Sequence, residues 1–97
     1  MLFRSVKANF PLGGIKGLKG EYSGQEIIIT RPLKTFGRPG TQVAMISRRP
    51  QGYYVTHVEG RKLTRLNGKP IGTQSELLKE NDLIEVANQK LMFFMKK

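Results

Sequence analysis

The sequence predicts an all-β domain, a sandwich of short antiparallel strands. Three observations lead there. Runs rich in Ile, Val, Thr and Tyr recur at short intervals, at residues 25–30, 43–48 and 53–58, and such side chains suit a pleated, half-buried surface. Turn-forming residues separate the runs, at Pro50-Gln51-Gly52, Asn67-Gly68 and Lys79-Glu80-Asn81-Asp82. No stretch sustains a helical period: Thr73-Gln74-Ser75-Glu76-Leu77-Leu78 is the one candidate, and it is short for a stable helix.

Taken in chain order, residues 1–14 read as an N-terminal connector and 15–97 as the domain, because Pro11 and Gly13-Gly14 end any element that Phe3 to Phe10 form. Ile15-Lys16-Gly17-Leu18-Lys19 is a weak strand and Glu21-Tyr22-Ser23-Gly24 a turn. Residues 25–30 are the clearest strand of the first half; Pro32 breaks it, and Leu33 to Phe36 resumes before Gly37. Residues 43–48 and 53–58 form a hairpin, with Tyr53, Val55 and His57 on one face and Tyr54, Thr56 and Val58 on the other. Asn81 suits a left-handed turn position. Residues 83–86 and 90–95 close the chain as a hairpin around Ala87-Asn88-Gln89. That last strand is apolar on both faces, Leu91, Phe93 and Met95 on one and Met92 and Phe94 on the other, so the second face needs a cover. Phe3, Phe10 or a second copy of the chain is expected to supply it.

Ninety-seven residues make one domain, burying roughly 60–65% of its unfolded surface. A hydrophobic fraction of 38% belongs to a folded protein. The absence of cysteine excludes a disulfide scaffold and a thiolate zinc site. No apolar run approaches transmembrane length, and Met1-Leu2-Phe3-Arg4 turns polar too soon for a signal peptide; a cytoplasmic location is expected, alone or as the cytosolic part of a larger protein. Lys and Arg number 17 against 7 acidic residues, a formal charge of +10, which points to an anionic partner.

Two stretches carry the functional signal. Thr35-Phe36-Gly37-Arg38 ends a strand by pushing an arginine out of a glycine turn, and an arginine fork above a β scaffold suits a phosphate. Leu66-Asn67-Gly68-Lys69-Pro70-Ile71 leads on to Leu78-Lys79-Glu80-Asn81-Asp82-Leu83-Ile84-Glu85-Val86. In this order the two resemble a forkhead-associated (FHA) domain, the phosphothreonine-reading β-sandwich, over Ile15 to Phe94. The resemblance implies that Arg38 contacts phosphate, with Thr41, Arg61, Lys62, Thr64 and Arg65 as further candidates to bind the phosphate or the peptide, that Thr64 and the turn residues Gly37, Asn67 and Gly68 match the family, and that Arg38, Arg61, Lys62 and Arg65 cluster at one end of the sandwich.

Departures from the family pattern mark an atypical, degenerate member. Where relatives carry Ser-Arg-x-His-Ala, Gly40 takes the serine position, Val43 the histidine and Ala44 the alanine; Thr41 is the nearest hydroxyl. Ser47-Arg48-Arg49-Pro50 does not fit instead, because it leaves too few residues for the following hairpin. Lys62 replaces the asparagine that holds the ligand backbone in relatives. Weak affinity and poor threonine-over-serine discrimination follow.

The leading expectation is a non-catalytic protein-interaction module with a protein partner, phosphorylated or acidic. One alternative is a basic RNA-binding domain: residues 66–86 also resemble the end of S4-type domains, although those need two upstream helices and residues 40–66 read as strands. Another is a structural module of a larger assembly. No enzyme is expected. His57 is the single histidine and has no cysteine or carboxylate cluster to make a metal site, nor a nucleophile to activate. The glycine-rich residues 13–20 lack the Gly-Lys-Ser/Thr ending of a nucleotide cradle. No cofactor, metal or membrane insertion is implied, and the oligomeric state is open.

Overall fold

The computed structural model describes residues 12–96. Ten strands run in chain order: β1 Leu12–Lys19, β2 Glu26–Ile29, β3 Leu33–Arg38, β4 Gln42–Arg49, β5 Gly52–Glu59, β6 Arg65–Leu66, β7 Lys69–Pro70, β8 Glu76–Leu77, β9 Leu83–Val86 and β10 Gln89–Lys96. They form two antiparallel sheets, one ordered β2-β1-β10-β9-β6-β7 and the other β3-β4-β5-β8. This is the all-β sandwich that the alternation of apolar and turn residues predicts. None of the described residues is helical. The stretch read as a helix candidate instead supplies β8, whose Glu76 and Leu77 pair with Val55 and Tyr54.

The core lies between the sheets. Ile15, Leu91, Phe93 and Ile84 come from the first sheet and Phe36, Ile46, Tyr53 and Val55 from the second, all buried. Complete burial of one such side chain contributes about 1.5–3 kcal/mol. Tyr53 also bolts the sheets together: its hydroxyl accepts from the Gly13 amide at 2.9 Å and donates to the Ile29 carbonyl at 2.9 Å.

The first strand begins at Leu12, inside the segment expected to be a connector. Gly13 and Gly14 pair with Ile29 and Ile28 on one side and with Met95 and Phe94 on the other. A Cβ on Gly13 would come within 2.8 Å of the Phe93 ring, so the glycines are there for close packing rather than to end an element.

Met92 and Phe94 do point away from the core, and both are half-buried. The Phe94 ring lies over Gly14, 2.9 Å from where a Cβ would stand. The expected cover by Phe3 or Phe10 lies outside the described residues.

Turns fall where their residues allow. Asn67, Gly68 and Asn81 have φ of 54°, 85° and 71°. The Asn67 side chain fastens two of these turns, donating from Nδ2 to Asp82 at 3.0 Å and accepting the Leu83 amide at 2.9 Å. Asp82 in turn accepts the Lys79 amide at 2.8 Å. Asn67-Gly68 is therefore scaffold, as expected of it.

Candidate functional site

Arg38 is the last residue of β3 and opens the turn Arg38-Pro39-Gly40-Thr41, closed by the Thr41 amide donating to the Arg38 carbonyl at 3.0 Å. Proline in second place and Gly40 at φ 87° in third are the residues a type II turn calls for. Gly37 has φ 118°, and a Cβ on it would strike the Gln42 carbonyl oxygen, so only glycine lets β3 run into this turn. The Arg38 side chain is exposed and has no hydrogen-bond or ion-pair partner among the described residues.

The turn already holds an anionic group. The Gly40 amide donates to Glu59 Oε2 at 2.8 Å, a charge-assisted bond between a turn amide and a carboxylate. Glu59 stands at the end of β5, opposite Val43.

The second loop, residues 60–64, lies directly against this turn. Gly60 has φ 108°, and a Cβ there would collide with the Thr41 carbonyl oxygen. His57 ties the loop down: Nε2 donates to the Gly60 carbonyl at 2.7 Å, while Nδ1 accepts the Thr64 amide at 3.2 Å and pairs with the Thr64 hydroxyl at 2.9 Å. Accepting a backbone amide at Nδ1 places the ring proton on Nε2. The neighbouring Arg61 and Lys62 side chains are exposed and have no partner among the described residues.

Gln42 joins three segments. Only 6% exposed, it donates from Nε2 to the Lys62 carbonyl at 2.8 Å and the Leu63 carbonyl at 3.3 Å, and accepts the Ala87 amide at Oε1 at 2.7 Å. One amide side chain thereby satisfies backbone groups from two loops that carry no ladder bonds of their own.

These observations sort the sequence-predicted residues. Arg38, Thr41, Arg61 and Lys62 lie on the two adjoining loops and are exposed. Thr64 stands apart from them: it is fully buried, with its hydroxyl on His57, where it braces the loop. Arg65 stands in β6 and its Nη1 donates back to the Gly68 carbonyl at 2.9 Å, which ties it to the Asn67-Gly68 turn. Gln42, His57 and Glu59 were not singled out by the sequence as site residues. Among the described residues, no three His, Cys, Asp or Glu gather as a metal site.

No family model and no curated protein matches the sequence. Solved structures do match. The FHA domain of Rv0020c superposes with a TM-score of 0.70 at 17% identity, over 89% of this chain and 94% of that one. A structure from work on phosphothreonine-dependent FHA domain interactions superposes with a TM-score of 0.70 at 16% identity, over 89% of this chain and 98% of that one. The fold is that of an FHA domain.

The strand after Gly37-Arg38 starts at Gln42, so the first loop is reduced to one tight turn. Ser47-Arg48 lies far along β4, where Ser47 is 4% exposed and pairs with Leu33 and Tyr54, away from the 37–41 turn. His57 braces the second loop from the neighbouring strand.

Proposed function

We propose that this domain is a non-catalytic interaction module that holds an anionic segment of a partner protein, a phosphorylated side chain by preference, across the 37–41 turn and the 60–64 loop. One observation carries the reading: the Arg38 side chain is exposed and without a partner among the described residues, on a turn whose Gly40 amide already binds a carboxylate. A phosphate monoester bears about −1.5 to −2 charges and three acceptor oxygens, so it competes with the single charge of Glu59 for the same donors. Arg38 gives the fork, Arg61 and Lys62 add long-range attraction, and Thr41 is the nearest exposed hydroxyl. Without a serine and an asparagine to fix the ligand's orientation, affinity is weak and threonine is poorly distinguished from serine.

The test is an amide NMR titration with a degenerate phosphothreonine peptide pool, its unphosphorylated twin and a short RNA, in the wild type and in Arg38→Ala. Phosphate-dependent shifts at residues 37–42 and 60–64 that vanish in Arg38→Ala are expected. Equal responses to both peptide pools would sink the phosphate reading. A response to RNA alone, steepening as salt is lowered, would replace it with nucleic-acid binding.

A further inference from the structure

Sheet register builds a second basic feature, which shares only Lys62 with the loop-end site. Lys19 is opposite Lys90 on β10, Lys90 opposite Glu85 on β9, and Glu85 opposite Arg65 on β6. Cross-strand partners share a face, and the alternating residues Ile84, Val86 and Leu91 point into the core, so this row lies on the outer face of the sheet. Beside the row is a cleft of about 150 Å³, with Lys62 and Gln89 among its lining residues. That is room for about five waters at the ~30 Å³ each takes in the liquid, enough for one phosphate group.

Three features set this cleft apart from an ordinary solvated face. First, Lys19, Lys62, Arg65 and Lys90 surround it, with Glu85 its one carboxylate among the described residues, and none of the three lysine side chains has a hydrogen-bond or ion-pair partner among the described residues. Like charges placed directly opposite, as Lys19 and Lys90 are, destabilise a strand pair unless an anion sits between them. Second, Gln89 is 6% exposed and its side-chain oxygen is buried without a partner. A half-turn of that amide presents NH2 donors in the same place. Third, the adjoining β9–β10 turn is held in a costly conformation: Ala87 and Asn88 have φ of 51° and 62°. Alanine rarely adopts this region, and Gln42 Oε1 fixes it through the Ala87 amide. Positive φ at both central residues is the type I′ geometry of a two-residue hairpin, and alanine makes this one costlier than glycine or asparagine would.

We infer that the cleft formed by Lys19, Lys62, Arg65, Gln89 and Lys90 is a second anion seat, separate from Arg38, that takes the phosphate group of a monoester. The lysines supply charge, Arg65 keeps part of its fork free beyond its bond to Gly68, and the Gln89 amide reads one oxygen from below. Glu85 opposes the ligand and sets a ceiling on affinity. A protein segment phosphorylated twice would then engage the two seats together, with Lys62 at their border.

The test uses the chain with O-phosphoserine, inorganic phosphate and sulfate, each at fixed ionic strength and followed by amide NMR. Saturable shifts at Lys19, Glu85 and the Gln89 side-chain NH2 are expected with O-phosphoserine. They should persist in Arg38→Ala, weaken at least tenfold in the double variant Lys19→Gln/Lys90→Gln, and tighten about threefold in Glu85→Gln. Both lysines are exposed, so an otherwise unchanged spectrum serves as the folding control. Non-saturating shifts, equal shifts with sulfate, or full binding by the double variant would overturn the seat. Saturation by inorganic phosphate alone would overturn the monoester assignment. Loss of binding in Arg38→Ala would merge this seat with the loop-end site, whereas failure of the phosphopeptide reading leaves these outcomes unchanged.

Discussion

The two ends of the sandwich are both rich in arginine but use it differently. At the β4–β5 hairpin, Arg48 donates to the Thr30 carbonyl at 3.2 Å, and Arg49 stacks 4.4 Å from the centre of the Tyr54 ring and reaches Ser75 at 3.4 Å. These cations are part of the structure. At the other end, the side chains of Arg38, Arg61 and Lys62 have no partner among the described residues, while the loops that carry them are held by the neutral side chains of Gln42 and His57. Net charge is the same in kind at both ends. What distinguishes a candidate binding surface is that its scaffold is satisfied without spending its cations.

Substitutions can break or sharpen that contrast. The largest effect is expected for Gln42→Ala, which orphans the Ala87 amide and the Lys62 and Leu63 carbonyls. A loss of about 3 kcal/mol in urea unfolding should accompany disorder in residues 60–64; a loss under about 1 kcal/mol would mean that the loops hold themselves. Arg38→Ala should leave stability within about 0.5 kcal/mol yet weaken phosphopeptide binding tenfold or more, roughly 1.4 kcal/mol. If unfolding and binding changed together, Arg38 would be scaffold after all.

Arg49→Ala should do the reverse. It costs about 0.5–1 kcal/mol through the lost stack on Tyr54 and leaves binding untouched; a binding defect there would move the site to the hairpin end. The smallest effect belongs to Glu59→Gln, which removes the carboxylate from the Gly40 amide. Phosphopeptide affinity should rise about threefold, roughly 0.65 kcal/mol, measured by calorimetry. A fall in affinity would show Glu59 to be a support rather than a competitor.

Some of this was legible in the chain and some was not, for physical reasons. The strand periods, the Gly37-Arg38 step and the left-handed Asn67 and Asn81 are local properties, set by residues a few positions apart. Gln42 acts on partners 20 and 45 positions away, and no short pattern encodes such reach. His57 reads as an ordinary strand residue until the loop folds back on both of its nitrogens. Thr64 shows the opposite limit, because a match of residue type does not say that the hydroxyl turns inward onto His57. The glycines at 13 and 14 misled because glycine records nothing of what packs on it, here the rings of Phe93, Tyr53 and Phe94.

The Tyr53 hydroxyl has a consequence for how the domain comes apart. It binds the second residue of β1 and the last residue of β2 at once, from a strand in the opposite sheet. That corner cannot loosen without breaking the Tyr53 bonds between the sheets. The Gly13 amide, though it stands near the edge of the described chain, should therefore exchange with solvent as slowly as a central core amide, and its hydrogen exchange reports the opening of the whole sandwich rather than the breathing of one end.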